Sequence, residues 1–293
     1  MPDRSFVVDG VRLAAPAAPP GLHIVATPIG NLGDITLRAL KTLAGADRVA
    51  AEDTRHSGRL LAHFGIDVPM LRYDEHRAAA QRPKILAALA EGAAIALVSD
   101  AGTPLISDPG FRLVAEVRGA GHAVHAIPGP SAVIAALSVA GLPTDAFFFG
   151  GFLPAKAAAR RTRLENLAAV PATLAFYEAP HRLAETLAAM HAAFGPRPAA
   201  VARELTKRFE TVVEGPLGDL ATRFAAEDTK GEIVVLVAPP DDTPMSEADA
   251  RALLAEALTR MPASAAAAEV ARKTGLARRD LYAIAMALKA DAS

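Results

Sequence analysis

The sequence predicts an α/β fold, because short apolar strands alternate with amphipathic helices along most of the chain. The clearest predicted strand is the apolar run 94–98, which is typical of a fully buried strand. Leu37, Leu40 and Leu43 recur at a spacing of three and predict a helix that ends near Gly45. Strands and helices that alternate in this way favour a mainly parallel sheet.

The other predicted elements divide into two α/β halves. In the first half the strands are 22–26, 48–51 and a segment at Val124, and the helices lie around 60–64 and 85–89. In the second half the strands are 147–149, 173–177, 199–202, 210–213 and 233–237, and the helices lie near 156–167 and 183–190. Two α/β halves that face each other would form a cleft.

The two ends of the chain differ in composition from the α/β halves. Residues 1–20 end in Ala-Ala-Pro-Ala-Ala-Pro-Pro, which favours a disordered arm because proline removes hydrogen-bond donors and alanine buries little surface. The segment 239–244 is rich in proline and aspartate and reads as a linker. We therefore predict a disordered arm (1–20), an N-terminal α/β subdomain (21–127), a C-terminal α/β subdomain (128–240) and a helical appendage resembling a helix-turn-helix (246–290).

Composition excludes several classes of protein. The 31 Lys and Arg residues against 32 Asp and Glu leave a formal charge of −1, so the chain has no overall basic coat for nucleic acid, although local basic patches remain compatible with it. The absence of cysteine excludes disulfides, Cys-ligated metals and cysteine nucleophiles, and fits a reducing compartment. No apolar run is long enough to cross a bilayer, so we expect a cytoplasmic protein without membrane contact.

Four loops with similar chemistry follow predicted strands. They span 27–34, 99–104, 128–132 and 178–182, and each combines proline with glycine or with a charged residue. Any one of them has the composition of an ordinary turn. Because ligands bind outside the carboxyl ends of parallel strands, four such loops together indicate a binding cleft. Neither a P-loop, nor a Gly-x-Gly-x-x-Gly fingerprint in the first loop, nor a nucleophile elbow is present.

The motifs in these loops resemble those of the tetrapyrrole-methylase superfamily, and in particular its ribosomal RNA 2′-O-methyltransferases. The ordered motifs that carry the resemblance are 25–35 (Val-Ala-Thr-Pro-Ile-Gly-Asn-Leu-Gly-Asp-Ile), 51–55 (Ala-Glu-Asp-Thr-Arg), 99–104 (Ser-Asp-Ala-Gly-Thr-Pro), 127–132 (Ile-Pro-Gly-Pro-Ser-Ala), 176–182 (Phe-Tyr-Glu-Ala-Pro-His-Arg), 202–207 (Ala-Arg-Glu-Leu-Thr-Lys) and 230–234 (Lys-Gly-Glu-Ile-Val). Several long motifs in order are far more specific than one glycine pattern. The resemblance covers roughly residues 22 to 240, and the C-terminal helices also look like that family's appendage.

The resemblance implies that S-adenosylmethionine binds in the cleft between the two halves. The residues it places around this cofactor are Pro28, Leu32, Asp100, Ala101, Gly102, Thr103, Ser131, Ala132, Tyr177 and Ala238. A cationic, zwitterionic cofactor needs carboxylate and backbone partners, which Asp100 and exposed loop N–H groups can supply. Asp100 is also a residue type typical of caps and turns. No metal is expected, because the histidines lack a convincing metal-ligand spacing.

The implied reaction transfers a methyl group to a ribose 2′-hydroxyl of a cytidine in 16S ribosomal RNA. Because the sulfonium is already a strong leaving system, catalysis needs positioning of the reactants and a base for the hydroxyl proton. The candidate bases are Glu178, His181, Glu204 and Lys207, of which we place Lys207 and Glu204 in the catalytic role. Lys207 would need a lowered pKa to act as a base, and a solvated surface lysine is the alternative.

Contact with ribosomal RNA, or with the assembled 30S particle, requires local positive charge. Two basic clusters are candidates for phosphate contacts: Lys156, Arg160, Arg161 and Arg163 in the second half, and Arg272, Lys273, Arg278 and Arg279 in the appendage. Solvated helix faces would have the same composition. The resemblance also implies a homodimer.

Two other functions are compatible with parts of the pattern. A tetrapyrrole or corrin C-methyltransferase would share the cofactor, but a small anionic macrocycle needs no basic helical appendage. A non-catalytic nucleic-acid-binding protein would use the appendage, but it would not need a complete set of cofactor loops.

Overall fold

The first sheet is fully parallel, as the alternation of strands and helices predicts. This computed structural model describes residues 4–107, 110–240, 247–274 and 276–291, with the backbone alone at 247–249, 272–274 and 290–291. The chain divides into two compact units, Met1–Pro240 and Asp241–Ser293. After the strands β1 (Ser5–Val8) and β2 (Val11–Ala14), the first sheet contains β3 (Gly21–Val25), β4 (Arg48–Ala51), β5 (Met70–Arg72), β6 (Ala94–Val98) and β7 (Val124–Ile127), in the spatial order β5-β4-β6-β3-β7.

Helices cover both faces of this sheet. They are α1 (Leu37–Gly45), α2 (Thr54–His63), α3 (Glu75–Ala90) and α4 (Phe111–Gly119). Alternation along β3 directs Val25 to one face, where it packs with α1 and α2, and Leu22 to the other, where it packs with α3 and α4. Side chains cap α1 and α2: Thr36 accepts from the N–H of Ala39, and Asp53 accepts from the N–H of Arg55.

The second sheet is mixed rather than mainly parallel. Its strands are β8 (Phe147–Phe152), β9 (Thr173–Glu178), β10 (Pro198–Arg203), β11 (Thr211–Pro216) and β12 (Ile233–Val237), in the order β11-β10-β12-β9-β8. Only β8 and β9 pair in parallel, and the other three pairings are antiparallel. The helices are α5 (Ala132–Val139) on one face, and α6 (Ala157–Glu165), α7 (Leu183–Phe194) and α8 (Leu217–Ala225) on the other.

The prediction of a disordered arm over residues 1–20 is wrong for most of that segment. β1 and β2 pair as an antiparallel hairpin, and the Val7 N–H donates to the Phe64 carbonyl. Phe6 is fully buried in the core between the first sheet and its helices. The proline-rich residues follow the hairpin, and the burial of one aromatic side chain anchors the segment before them.

The second unit consists of three helices, α9 (Glu247–Leu258), α10 (Ala263–Thr274) and α11 (Arg278–Asp291). Small and branched side chains form its own core, including Leu254, Ala266, Val270 and Leu281. Residues 241–244 of the linker predicted over 239–244 lie outside the described residues.

Candidate active site

The loops after β3 and β6 meet at the carboxyl edge of the first sheet. Thr27 and Gly102 exchange two backbone hydrogen bonds, of 2.9 and 3.1 Å. The chain leaves these two neighbouring strands toward opposite edges of the sheet, from β3 to β4 and from β6 to β7. Neighbouring strands whose connections run in opposite directions form a switch point, where open α/β sheets bind ligands. The hydroxyl of Thr103 donates to the Pro130 carbonyl at 3.2 Å and so attaches the third loop to the second.

A cavity of about 410 Å³ opens between these loops and the second sheet. Its first-half lining is Ile29, Ala101–Thr103, Ile106 and Ser107, joined by Ser131 and Ala132 at the start of α5; its second-half lining is Phe152, Tyr177–Pro180, Ala202, Leu205 and Gly231–Val234. The volume falls in the range typical of small-molecule and cofactor sites.

Six of the ten predicted cofactor residues line this cavity: Ala101, Gly102, Thr103, Ser131, Ala132 and Tyr177. Gly102 has a φ of +72°, and a β-carbon there would lie 3.3 Å from the side chain of Ile29. Glycine at this position therefore permits the close approach of the first and second loops.

The other four predicted cofactor residues lie elsewhere, two of them beside the cavity loops. The carboxylate of Asp100 accepts a hydrogen bond from the Asp53 N–H at 3.1 Å, so it positions the loop rather than lining the cavity. Pro28 is buried, and its neighbour Ile29 enters the lining instead.

Leu32 and Ala238 are farther from the cavity. Leu32 lines a second cavity, of about 550 Å³, between the β1–β2 hairpin and the first-half helices. Ala238 follows β12, which runs antiparallel to β9. The residues of β12 in the lining are therefore its first ones, and the Ala238 N–H pairs with Pro198 at the opposite end of the sheet.

Aromatic side chains form one wall of the cavity. Tyr177 packs edge-on against Phe149 at 4.9 Å between ring centroids, and Phe152 lies 5.5 Å from Tyr177. Phe152 is 58% exposed, which is unusual for so large an apolar side chain. It carries no signal in the sequence, because it reads as an ordinary strand residue after two glycines.

A three-residue charged network lies at the rim of the cavity. The Lys207 ammonium lies 2.8 Å from the Glu204 carboxylate and 3.1 Å from the Glu232 carboxylate. The Glu204 carboxylate also accepts the N–H of Glu232 at 2.9 Å. Of the three, only Glu232 belongs to the cavity lining.

The electrostatics of this network bear on the predicted base. Partial burial alone would lower the pKa of Lys207, but hydrogen bonds to Glu204 and Glu232 outweigh it and raise the pKa above its usual value. The same ammonium, together with the Glu232 N–H, lowers the pKa of Glu204. The lowered pKa that Lys207 needs to act as a base is therefore not present in this structure.

The remaining base candidates, Glu178 and His181, behave differently. The Glu178 side chain is fully buried, and its two oxygens accept from the Ala179 N–H at 2.7 Å and from the Thr186 hydroxyl at 2.6 Å. The Arg182 guanidinium lies 3.4 Å away and donates to the Leu153 carbonyl at 2.9 Å. Glu178 therefore fixes its own loop to the start of α7. His181 is exposed and lies outside the cavity lining.

The first predicted RNA cluster divides into exposed and buried members. Lys156, Arg161 and Arg163 are exposed at α6, and Arg163 lies over the Phe148 ring at 5.8 Å. Arg160 is only 2% exposed and forms an ion pair with Glu185. Its inclusion in the predicted RNA-binding cluster was wrong, because Arg160 faces the protein interior whereas its neighbours on the helix face solvent.

In the second unit, Arg278 and Arg279 are exposed at the start of α11. Arg279 lies 3.3 Å from Asp280. The side chains of Arg272 and Lys273 lie outside the described residues. Tyr282, four residues after Arg278, is 43% exposed and was not part of the prediction.

Within the described part of the chain, no three His, Asp or Glu side chains come together in a way that could hold a metal ion. A helix with the length and apolarity needed to cross a membrane is likewise absent from the described residues.

The fold and the cavity at its switch point define a known class of protein. Residues 21–221 match the model of the tetrapyrrole (corrin/porphyrin) methylases, and the chain belongs to this family. Residues 244–289 match a separate model, the RsmI C-terminal HTH domain. The predicted tetrapyrrole-methylase type of fold is thus confirmed.

Curated relatives define the branch of the family. The chain is 55% identical to the ribosomal RNA small subunit methyltransferase I of Mesorhizobium japonicum, over 94% of this chain and 95% of that protein. It is 51% identical to the protein of the same name from Xylella fastidiosa (strain Temecula1), over 91% of this chain and 99% of that protein. These relatives confirm the predicted resemblance to ribosomal RNA methyltransferases and favour it over the corrin and non-catalytic alternatives.

A solved structure agrees with the fold at lower sequence similarity. The uroporphyrin-III-C-methyltransferase from Thermus thermophilus superposes with a TM-score of 0.55 at 22% identity, covering 75% of this chain and 94% of that chain. At this identity the likeness establishes the architecture of the two α/β halves.

Proposed function

We propose that this chain transfers a methyl group from S-adenosylmethionine to the ribose 2′-hydroxyl of a cytidine in 16S ribosomal RNA. The observation that carries the proposal is the cavity of about 410 Å³ at the switch point, in a chain that is 55% identical to a ribosomal RNA small subunit methyltransferase I. Because ribosomal RNA lies in the cytoplasm, the proposal places the protein there.

The chemistry of the lining fits the cofactor. Backbone groups at 101–103 and the hydroxyls of Thr103 and Ser131 offer partners for the polar amino-acid end. Phe152 and Tyr177 offer aromatic faces, which attract both an adenine ring and a sulfonium cation. When bound, the cofactor supplies an electrophilic methyl group on a good leaving group. The protein must then orient the acceptor hydroxyl and remove its proton.

Exposed cationic side chains in both units are the proposed contacts to RNA. The exposed residues Lys156, Arg161 and Arg163 support phosphate contacts in the first unit, and Arg278 supports them in the second. Tyr282 offers one face for a base to stack on. A homodimer is part of the same proposal, and it is supported by exposed apolar side chains such as Phe111 (76%) and Ile134 (54%).

The central test is methyl transfer to small ribosomal subunits isolated from a strain that lacks this activity. Labelled S-adenosylmethionine is supplied with purified protein, and the RNA is then digested with alkali. A 2′-O-methylated nucleotide resists this digestion because strand scission needs a free 2′-hydroxyl. We expect label in one alkali-stable dinucleotide that contains cytidine. A parallel reaction contains a corrin precursor in place of the subunits. Label in that precursor but not in RNA would contradict the proposal, and label in alkali-labile nucleotides would contradict the 2′-position.

A cavity-filling variant tests whether the cofactor binds where we place it. Ala132→Trp puts an indole into the cavity lining, whereas Ala192→Trp adds the same group at an exposed position on α7. Calorimetry should show micromolar binding of S-adenosylmethionine to the wild type and to the Ala192 variant, and none to the Ala132 variant. Equal binding by all three proteins would exclude this cavity. In a separate experiment, binding of the protein to the small subunit is measured at increasing salt concentrations. The slope of the logarithm of the binding constant against the logarithm of the salt concentration gives the number of phosphate contacts.

A further inference from the structure

We propose that Glu232 accepts the proton of the attacking ribose hydroxyl, and that Lys207 and Glu204 position it for this task. The proposal rests on the proposed function and adds to it a catalytic residue that the sequence alone did not single out.

Few groups that can accept a proton line the cavity. Among the lining residues that the structure describes, two are carboxylates, Glu178 and Glu232, and none is a histidine or a lysine. The remaining polar side chains of the lining are hydroxyls, such as those of Thr103, Ser107 and Ser131. A neutral hydroxyl is a poor proton acceptor near neutral pH, so a carboxylate is the better candidate.

The two carboxylates differ in exposure and in hydrogen bonding. Glu178 is fully buried and both of its oxygens already accept hydrogen bonds from the protein. The side chain of Glu232 is 73% exposed, so its carboxylate can approach a substrate that enters the cavity. One oxygen, Oε2, lies 3.1 Å from the Lys207 ammonium, and the other, Oε1, accepts no hydrogen bond from the described residues.

Close backbone contacts hold Glu232 in place. The φ of Gly231 is +92°, and a β-carbon there would lie 2.5 Å from Cγ and Cδ of Glu204. Glu204 itself has a φ of +53°, and its N–H donates to the Glu232 carbonyl at 2.9 Å. A non-glycine residue at positive φ stores strain that is typical of functional sites. Glu204 thus fixes the backbone that carries Glu232, while Lys207 contacts both carboxylates.

The proposed reaction forms one bond, breaks one bond and transfers one proton. The ribose 2′-oxygen forms a bond to the methyl carbon while the carbon–sulfur bond breaks, the sulfonium leaves as a neutral thioether, and the hydroxyl proton passes to the Glu232 carboxylate. Lys207 keeps its own proton throughout, because its two carboxylate neighbours favour the ammonium form. It acts as a positioning residue, and the same holds for Glu204.

The test compares Glu232→Gln, which keeps the shape but removes the proton acceptor, with Glu227→Gln. Glu227 is an exposed carboxylate paired with Arg223 at 2.9 Å and is absent from the cavity lining, so it is a matched control. Single-turnover methylation of small subunits is measured at saturating cofactor across pH 6 to 9. Calorimetry with S-adenosylmethionine and urea unfolding are run on each protein.

We expect Glu232→Gln to slow methyl transfer by about 100-fold or more, to bind cofactor within about twofold of the wild type, and to unfold at the wild-type urea concentration. Its residual rate should rise with pH as hydroxide replaces the acceptor. Glu227→Gln should match the wild type in every measurement. Lys207→Met should give a smaller loss of rate and a changed pH profile, and Lys207→Arg should recover part of the rate.

Three results would overturn the proposal. A Glu232→Gln rate within about threefold of the wild type would exclude Glu232 as the acceptor. A normal rate at saturating cofactor combined with weakened calorimetric binding would make Glu232 a cofactor ligand instead. Wild-type protein that binds cofactor but labels no RNA would remove the proposed function, and this inference with it. The first two results leave the proposed function intact.

Discussion

The side chain of Lys207 crosses directly over the backbone of Gly30. A β-carbon on Gly30 would lie 2.6 Å from Cγ and 2.9 Å from Cδ of Lys207. Gly30 belongs to the first loop of the N-terminal half, whereas Lys207 follows β10 of the C-terminal half. The contact therefore joins the two halves at the rim of the cavity. It also explains why glycine occupies position 30, since any larger residue would collide with Lys207.

Gly30→Ala should displace the Lys207 side chain and slow methyl transfer by about 10-fold or more. The φ of Gly30 is +142°, so alanine also strains the backbone there, at a cost of about 1–3 kcal/mol. Gly92→Ala is the matched control, because Gly92 has a φ of +85° with nothing within 4 Å of its β-carbon position. Both variants should lose stability to urea, and only Gly30→Ala should lose activity. Equal rates for the two variants would show that the contact is not needed.

Phe152→Ala should weaken binding of S-adenosylmethionine by about 3- to 10-fold, because it removes one aromatic face of the cavity wall. Stability should change little, since the ring is 58% exposed. Phe147→Ala offers a control on the same strand, 45% exposed and outside the cavity lining. Calorimetric binding and urea unfolding of both variants test this expectation, and unchanged affinity in Phe152→Ala would contradict it.

The residues of the first predicted RNA cluster, at α6, should differ in role: the buried one stabilises the fold, and the exposed ones bind RNA. Arg160→Met should destabilise the protein by about 1–3 kcal/mol, because it removes the buried guanidinium that pairs with the exposed Glu185 carboxylate and donates to the Ala155 carbonyl. Arg163→Met should leave urea unfolding nearly unchanged and lower the salt dependence of particle binding by about one phosphate contact. The opposite pattern, with Arg160 affecting only binding, would show that the buried position is not maintained in solution.

The stability of the protein should fall as pH drops below about 6.5, through His23. Burial lowers the pKa of His23 below its usual 6.5, and neighbouring His125, stacked at 4.6 Å, lowers it further, although a hydrogen bond to the Pro19 carbonyl opposes both. A lowered folded pKa means that only the unfolded chain takes up the proton just below pH 6.5, which favours unfolding.

Urea unfolding at pH 7.5 and pH 5.5 tests this pH dependence. His23→Phe should reduce the difference between the two pH values, since phenylalanine keeps the stacking and does not titrate. His76→Gln, at an exposed histidine, should leave the difference as it is in the wild type. A wild-type protein equally stable at both pH values would contradict the prediction.

Local patterns predicted the regular elements well. The leucines at 37, 40 and 43 predicted a helix ending near Gly45, and α1 spans Leu37–Gly45. The apolar run 94–98 is the fully buried strand β6. These predictions succeed because both signals are local. The spacing of apolar residues within an element and the turn-forming residues at its ends involve only residues close together in the chain.

Pairing between distant segments produced the errors. The mixed second sheet reverses β12 and so places Ala238 at the end of the sheet opposite the cavity. Arg160 has the same local sequence context as its exposed neighbours, and its burial arises only from packing against distant parts of the chain. The hairpin before the proline-rich segment depends on a buried site for Phe6 that other parts of the chain supply.

The sequence by itself determined the α/β architecture, the positions of the loops and, through ordered motifs, the family. Those properties depend on local chemistry and on residue order, both of which can be read directly. Only the tertiary structure decided which polar groups reach the cavity and which charges face one another. It brings Glu204, Lys207 and Glu232 together across 28 residues of chain, with Lys207 over Gly30. Burial, hydrogen bonding and pKa shifts arise from such contacts between distant residues, so no local pattern contains them.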